Sequence, residues 1–359
     1  MNEQRQLSSP RERVRLGKLL GNGSRRFLAF LICSAVLVAA FAVSSVWLHR
    51  SGLDPNDWGS FWKGNDDDPS ADPSQTTDPP ASGEETDPSP EPVDVPEGAV
   101  PVISMDLSCA AYGENYIQNE TVYLPDIPAL RASAGGEAQS FDPEDGPVVL
   151  ILHTHASEAY LPAGTGYIEG AVGDYAYSED PSRTVVAVGE VLCSILNQNG
   201  VPAIHCTELH GENGSLRNSY RYAAECIETY RERYPSIRYV IDLHRDGILT
   251  SDGEYVRTLA SGTEQPTAQI MAVVGSDGNG TEHPDWESNL SLALALRDAL
   301  NRENETICRP VSLRNASYNQ ELAPSALLLE IGSGANTVDE AIRAVELAGR
   351  ELAALITNR

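Results

Sequence analysis

Val148-Val149-Leu150-Ile151-Leu152, followed without a break by His153-Thr154-His155-Ala156-Ser157-Glu158, decides the fold. The apolar run reads as a buried strand, and its C-terminal end delivers two imidazoles and a carboxylate. The pattern recurs twice. Tyr239-Val240-Ile241 runs into Asp242-Leu243-His244-Arg245-Asp246, and Ala326-Leu327-Leu328-Leu329 runs into Glu330-Ile331-Gly332. In open α/β sheets the carboxyl ends of the strands are where ligands bind, so three strand ends rich in polar groups mark one edge as the working edge.

Outward from these strands the chain alternates. Thr184 to Asn199 places Val185, Val188, Leu192, Ile195 and Leu196 at helical spacing, with Gly200 at the C-cap position. Val201 to Cys206 reads as a short strand, Leu216 to Arg233 as an amphipathic helix and Arg238 to Leu243 as the next strand. Tyr255 to Ala260 and Gln269 to Val274 read as a strand pair, Ser288 to Arg302 as a helix, Arg309 to Leu313 and Ala326 to Ile331 as strands, and Val338 to Thr357 as a final helix. Strands separated by helices of this length predict an α/β fold with a mainly parallel sheet and helices on both faces.

The chain before residue 146 differs in composition. Residues 1 to 26 carry seven Lys or Arg against two Glu, and Phe27 to Leu48 is an uncharged apolar run of 22 residues. At about 1.5 Å per residue this run spans a hydrocarbon core of roughly 30 Å and exceeds the usual signal-peptide core. It predicts an uncleaved transmembrane signal anchor, with residues 1–26 as a basic cytoplasmic tail and the rest exported. Residues 49–100 read as a disordered acidic, Pro-rich linker. From 51 to 100 there are thirteen Asp or Glu, one Lys and nine Pro, too little apolar surface to offset ordering. Residues 101–145 read as a lead-in segment and 146–359 as the exported catalytic domain.

The net charge is −27, and the exported part is acidic as well. That argues against nucleic acid as a partner, since phosphate contacts need a basic footprint. Of the six cysteines, Cys109, Cys193, Cys206, Cys226 and Cys308 lie on the exported side, and none forms the Cys-x-x-Cys spacing of a structural zinc site. Mostly free, packed thiols are expected, and a Cys206–Cys226 disulfide is not required.

The strand ends carry metal chemistry. Neutral imidazole and carboxylate suit Zn²⁺, and a catalytic site uses three protein ligands with the fourth position open. His153, His155, Glu158 and His244 are the ligand candidates, and Glu330 is the candidate general base. If the strand continues, His153 and His155 share a face; a turn would separate them. Arg245 and Asp246 are placed to orient a ligand or the substrate, or to form a surface pair. Trp286, in the Gly-rich stretch around His283-Pro284-Asp285, is either a sugar-stacking residue or a plug; Asn319 and Gln320 bind substrate amides or cap a turn. His205 and His210 read as surface residues, and Ser157 lacks the Gly-x-Ser-x-Gly elbow of a serine hydrolase.

Four strings in one order, HTHASEAY (153–160), IDLHRDG (241–247), GTEHPDWESN (280–289) and YNQELAPSALLLEIGSGANTVDEA (318–341), make roughly residues 100 to 359 resemble the stage II sporulation protein P family. The order of basic start, membrane anchor, tether and exported domain is similar too. The resemblance implies a zinc-dependent peptidoglycan hydrolase of the N-acetylmuramoyl-L-alanine amidase type, active in engulfment and also able to cut peptide cross-links. It implies a fold similar to the zinc amidases and partnership with the stage II sporulation proteins D and M. Aligning the strand end with those amidases puts His155 at their first ligand, which favours His155, Glu158 and His244 as the ligands and leaves His153 beside the metal or facing substrate. Two other readings remain, another metal-dependent amidohydrolase and an inactive scaffold that binds wall or partner proteins.

Overall fold

The computed structural model describes residues 94–108, 117–133, 138–210 and 218–358. The expected tail, anchor and nearly all of the linker lie outside them. Among the described residues no helix is long and apolar enough to cross a membrane.

Among the described residues there are ten strands: β1 Val100–Met105, β2 Ile117–Asn119, β3 Val149–Leu152, β4 Tyr167–Ile168, β5 Ala203–His205, β6 Tyr239–Asp246, β7 Tyr255–Thr258, β8 Ile270–Val274, β9 Val311–Leu313 and β10 Ser325–Ser333. The longer helices are α1 Ile127–Ser133, α2 Val185–Gln198, α3 Ser219–Arg233, α4 Trp286–Glu303 and α5 Val338–Thr357. Seven strands form one sheet in the order β2-β9-β8-β10-β6-β3-β5. Every neighbouring pair is parallel except β8 and β10. The exception follows from the connection into β10: between Leu313 and Ser325 only a single 3₁₀ turn, Gln320–Leu322, intervenes, too little to cross over a sheet and return in parallel.

Alternation along the central strands assigns the two faces. Ile241 and Leu243 of β6 and Leu327, Leu329 and Ile331 of β10 join a large core with α2, α4 and α5. Val240, Ala326, Leu150 and Leu152 point to the other face, where Ala223, Cys226 and Ile227 of α3 cover them. Helices therefore lie on both faces, three against one. Two caps hold the large layer: Thr184 accepts from Val186 N–H at the start of α2, and Thr337 with Glu340 forms a capping box at α5. Gly200 has φ +79 just past α2, the left-handed conformation that ends a helix.

One expectation needs revision. Tyr255–Thr258 joins β1 and β4 in a separate three-stranded sheet, parallel to β1, and the expected pairing with the β8 side is limited to the end of the stretch, an antiparallel Leu259–Ala268 bridge with Gln269 N–H donating to Thr258 O at 3.2 Å. Its own alternation is compatible with either sheet, and only the partner strand, 153 residues earlier in the chain, decides between them. That partner lies in the lead-in. It contributes β1, the edge strand β2 and α1, whose Arg131 pairs with Asp298 of α4 at 2.8 Å.

Candidate metal centre

The face that carries α3 also carries the chemistry. On β6, Asp242 and His244 share the parity of Val240; on β10, Glu330 shares that of Leu328. Glu330 and His244 are direct register partners on adjacent strands, so their side chains emerge side by side. After Leu152 the chain turns rather than continuing as strand. This turn brings His155 and Glu158 over the ends of β6 and β10.

His155, Glu158 and His244 each offer one donor atom, all within 4.8 Å of one another, and all three residues are buried. The Glu158 carboxylate lies between the rings, with Oε1 3.3 Å from His155 Nδ1 and Oε2 3.3 Å from His244 Nδ1. The rings meet edge to face at 5.2 Å. Two imidazoles and one carboxylate fit a borderline divalent ion such as Zn²⁺. The orphaned atoms fit it too: His155 Nε2 and Glu330 Oε2 are buried without a hydrogen-bond partner, a costly arrangement in a site built only of protein.

The charges are strongly coupled. Burial works against ionising His244, yet the Asp242 and Glu158 carboxylates hold its pKa well above the usual imidazole value. Burial likewise works against Glu158, and His244, His155 and Arg245 nevertheless keep its carboxyl well below the usual range. Glu330 goes the other way. Burial, with Asp246 adding to it, pushes its carboxyl up to about 8.

His153 is not brought into this cluster. The strand parity of Ile151 carries it to the α2 face, where Nδ1 meets the Leu243 carbonyl at 2.8 Å and Nε2 meets His205 Nε2 at 2.8 Å. A Cβ on Gly189 of α2 would come within 2.6 Å of the His153 ring, so the helix is cut away to admit it. Burial and the neighbouring His205 push His153 down to about 3, which keeps it neutral.

Arg245 and Asp246 are not paired at the surface. Arg245 is buried; its backbone N–H donates to Glu158 Oε2 at 3.1 Å, and its guanidinium donates to the carbonyls of Ala159 and Ala176. It thus holds the turn that carries Glu158. Asp246 pairs with Arg309 at 2.6 Å. Trp286 is buried at the first turn of α4, and Tyr123 stacks on its ring at 5.1 Å, so that face of the indole is covered. Gln320 spends both ends of its amide on β8 and the residue after it, donating to Val273 O and accepting from Gly275 N–H, and Asn319 donates to Tyr220 O. Both brace the scaffold. His205 faces His153 and Glu190, and His210 is buried rather than at the surface.

Three neighbours were not singled out from sequence. Asp242 accepts from Thr154 N–H and Oγ1 at 2.8 and 2.6 Å, and its Oδ1 lies 3.1 Å from His244 Nε2, short of hydrogen-bonding alignment. Tyr220, at the first turn of α3, sets its ring edge-on to His155 at 5.6 Å. For Asp242 a signal existed, since the parity of β6 puts it on the face of His244. For Tyr220 and Thr154 none did.

Asp242 backs the ring nitrogen of His244 that faces away from Glu158, as carboxylates behind ligating histidines do. For a divalent ion held by this candidate centre, Asp242→Asn should therefore weaken binding by about 10- to 100-fold while His244 stays in place. Competition with a chromogenic chelator measures this, and unchanged affinity would leave Asp242 as a brace for Thr154 alone.

The family model for stage II sporulation protein P matches residues 100–353. Stage II sporulation protein P of Bacillus subtilis (strain 168) is 26% identical over 214 residues, covering 57% of this chain and 50% of that protein; the chain thus spans about half the length of this relative. Among solved structures, the apo form of the N-acetylmuramyl-L-alanine amidase Ami1 of Mycobacterium abscessus is 15% identical with a TM-score of 0.35, covering 59% of this chain and 98% of that one. The amidase AmiC2 of Nostoc punctiforme is 14% identical with a TM-score of 0.32, covering 58% and 96%. With a family match over most of its length, the chain belongs to the stage II sporulation protein P family.

Proposed function

We propose that this chain is a zinc-dependent peptidoglycan hydrolase of the N-acetylmuramoyl-L-alanine amidase type, acting in sporulation, on a fold of the zinc-amidase kind. The observation that carries the proposal is the buried His155, Glu158 and His244 triad beside Glu330, whose Oε2 is buried without a hydrogen-bond partner. The three would hold the ion, and when bound it supplies Lewis acidity at the amide. Glu330 takes a proton from the attacking water and returns it to the amine that leaves. Arg245 fixes the ligand carboxylate through its own N–H, and Tyr220 walls the His155 side.

The reading includes anchoring by residues 27–48 with the catalytic part exported, and partnership with the stage II sporulation proteins D and M. Metal analysis of the purified full chain, together with mass spectrometry of peptidoglycan it has digested, tests the activity. Bound zinc and products with a free N-terminal L-alanine are expected; intact peptidoglycan from a zinc-loaded protein would favour a binding scaffold. For the anchor, the full chain should stay in membranes through a high-salt wash and be open to protease only from the non-cytoplasmic side. A shorter, soluble mature form would show cleavage instead.

A further inference from the structure

A second set of metal donors lies on the same α3 face, at the end of β5, the strand that pairs with β3. Cys206 directly follows β5, its N–H donating to Ile151 O at 2.8 Å, so that it prolongs the sheet and turns its sulfur towards α3. Cys226 comes from α3, and the two sulfurs are 3.2 Å apart. His210 closes the group from the intervening connection, its carbonyl accepting from Ser219 Oγ at the start of α3. All three residues are buried, with their donor atoms within 4.8 Å of one another.

Two simpler explanations account for less. A disulfide requires sulfurs about 2.05 Å apart and gives the imidazole nothing to bind. A plain apolar contact between thiols leaves His210 harder still to explain, because its Nε2 is buried without a hydrogen-bond partner. Tetrahedral coordination places two thiolates at about 2.3 Å from zinc, hence roughly 3.8 Å apart. The observed separation needs only a small opening of the Cys206 and Cys226 side chains to reach it. A cleft of about 340 Å³, lined by His210, Cys226, Glu208, Glu225, Tyr222 and Tyr230, adjoins the group and leaves a fourth position open to water or to one of the two carboxylates.

We propose that Cys206, His210 and Cys226 form a second metal site, for a soft divalent cation of the Zn²⁺ class, distinct from the one at His155, Glu158 and His244. The donor set is two thiolates and an imidazole, and binding releases the thiol protons to solvent. Its consequence is mechanical. The ion ties the end of β5 and the following connection to α3, the helix whose first turn sets Tyr220 against His155. Cys226 lies six residues beyond Tyr220 on that helix, about 9 Å along the axis. The proposal does not depend on the hydrolase reading.

Co²⁺ tests it, because only sulfur ligands give a near-ultraviolet sulfur-to-cobalt charge-transfer band. The reduced full chain titrated anaerobically with Co²⁺ should develop this band. The band should persist in His155→Ala/His244→Ala, and it should vanish in Cys206→Ser and in Cys226→Ser. His210→Ala, which keeps both sulfurs, should retain the band but need about tenfold more Co²⁺ or higher to saturate it. A folded, reduced wild-type chain without the band overturns the proposal. So does a chain in which Cys206 and Cys226 isolate as a disulfide and bind no Co²⁺ after reduction. Loss of the band in the histidine double variant would assign it to the first site and overturn the second.

Discussion

Replacing His155 or His244 with Ala should remove zinc from the strand-end site and reduce peptidoglycan cleavage to background. Each ring supplies one of three donors that converge within 4.8 Å. The neighbouring imidazole cannot substitute, since His153 is turned to the opposite face against Leu243 and His205. Structural zinc is held by roughly 10–16 kcal/mol in total, so losing one donor of three should weaken binding by about 10³-fold or more. Elemental analysis after dialysis against a chelator should find one zinc fewer in either variant than in the wild type. His153→Asn is the control. It removes the adjacent imidazole of the same string, and it should leave that zinc in place. Full occupancy in His155→Ala or His244→Ala would take that residue out of the metal shell, and loss in His153→Asn would move the site to the α2 face.

Glu330→Gln separates holding the metal from doing the chemistry. The substitution keeps size and shape but cannot accept a proton, so zinc should be retained while turnover falls by roughly 10² to 10⁴, the usual worth of a positioned acid–base group. Loss of zinc would make Glu330 a fourth ligand, and undiminished turnover would leave it a structural carboxylate. The metal-free chain gives a second readout. Burial raises the folded-state pKa of Glu330 to about 8 from 4.5, so the folded chain holds this proton more tightly than the unfolded one. The stability this provides is complete below about pH 4.5 and is lost as pH rises through about 8. Glu330→Gln never ionises there and should escape that loss. At about 1.4 kcal/mol per pKa unit, the difference between the metal-free variant and wild type has a ceiling of ~5 kcal/mol above pH 8. Denaturant melts at pH 5 and pH 9 measure it, and a gap that does not widen with pH would show that Glu330 is not buried neutral.

Much of this was readable in the residues themselves. Leu150 to Leu152, Tyr239 to Ile241 and Ala326 to Leu329 are each apolar on both faces, which only strands buried in a covered sheet require. The polar groups directly beyond them follow from where those strands must end. The periodicity of Val185 to Leu196 and of Ile342 to Leu355 likewise fixes helices whose packing side is already visible, and local capping residues such as Thr184 and Thr337 set where they begin.

What the sequence by itself determined, then, is the set of local elements, the edge where chemistry gathers, and the residue types able to hold a metal there. What only the tertiary structure decided is every choice that depends on a partner distant in the chain. His153 and His155 differ by two positions, and it is the turn after Leu152 that sends one to Gly189 of α2 and the other to Glu158 and His244. Trp286 reads equally well as an exposed platform or a core plug until Tyr123, 163 residues earlier, covers it. Tyr255 to Thr258 finds its partner in β1 rather than β8. Tyr220 and the Cys206, His210 and Cys226 group acquire meaning only when α3 is laid across the sheet. Periodicity is a property of a few neighbouring residues and survives in the bare sequence. Which face meets which partner is set by long-range packing, and a strand or a turn carries no mark of it until the chain has closed on itself.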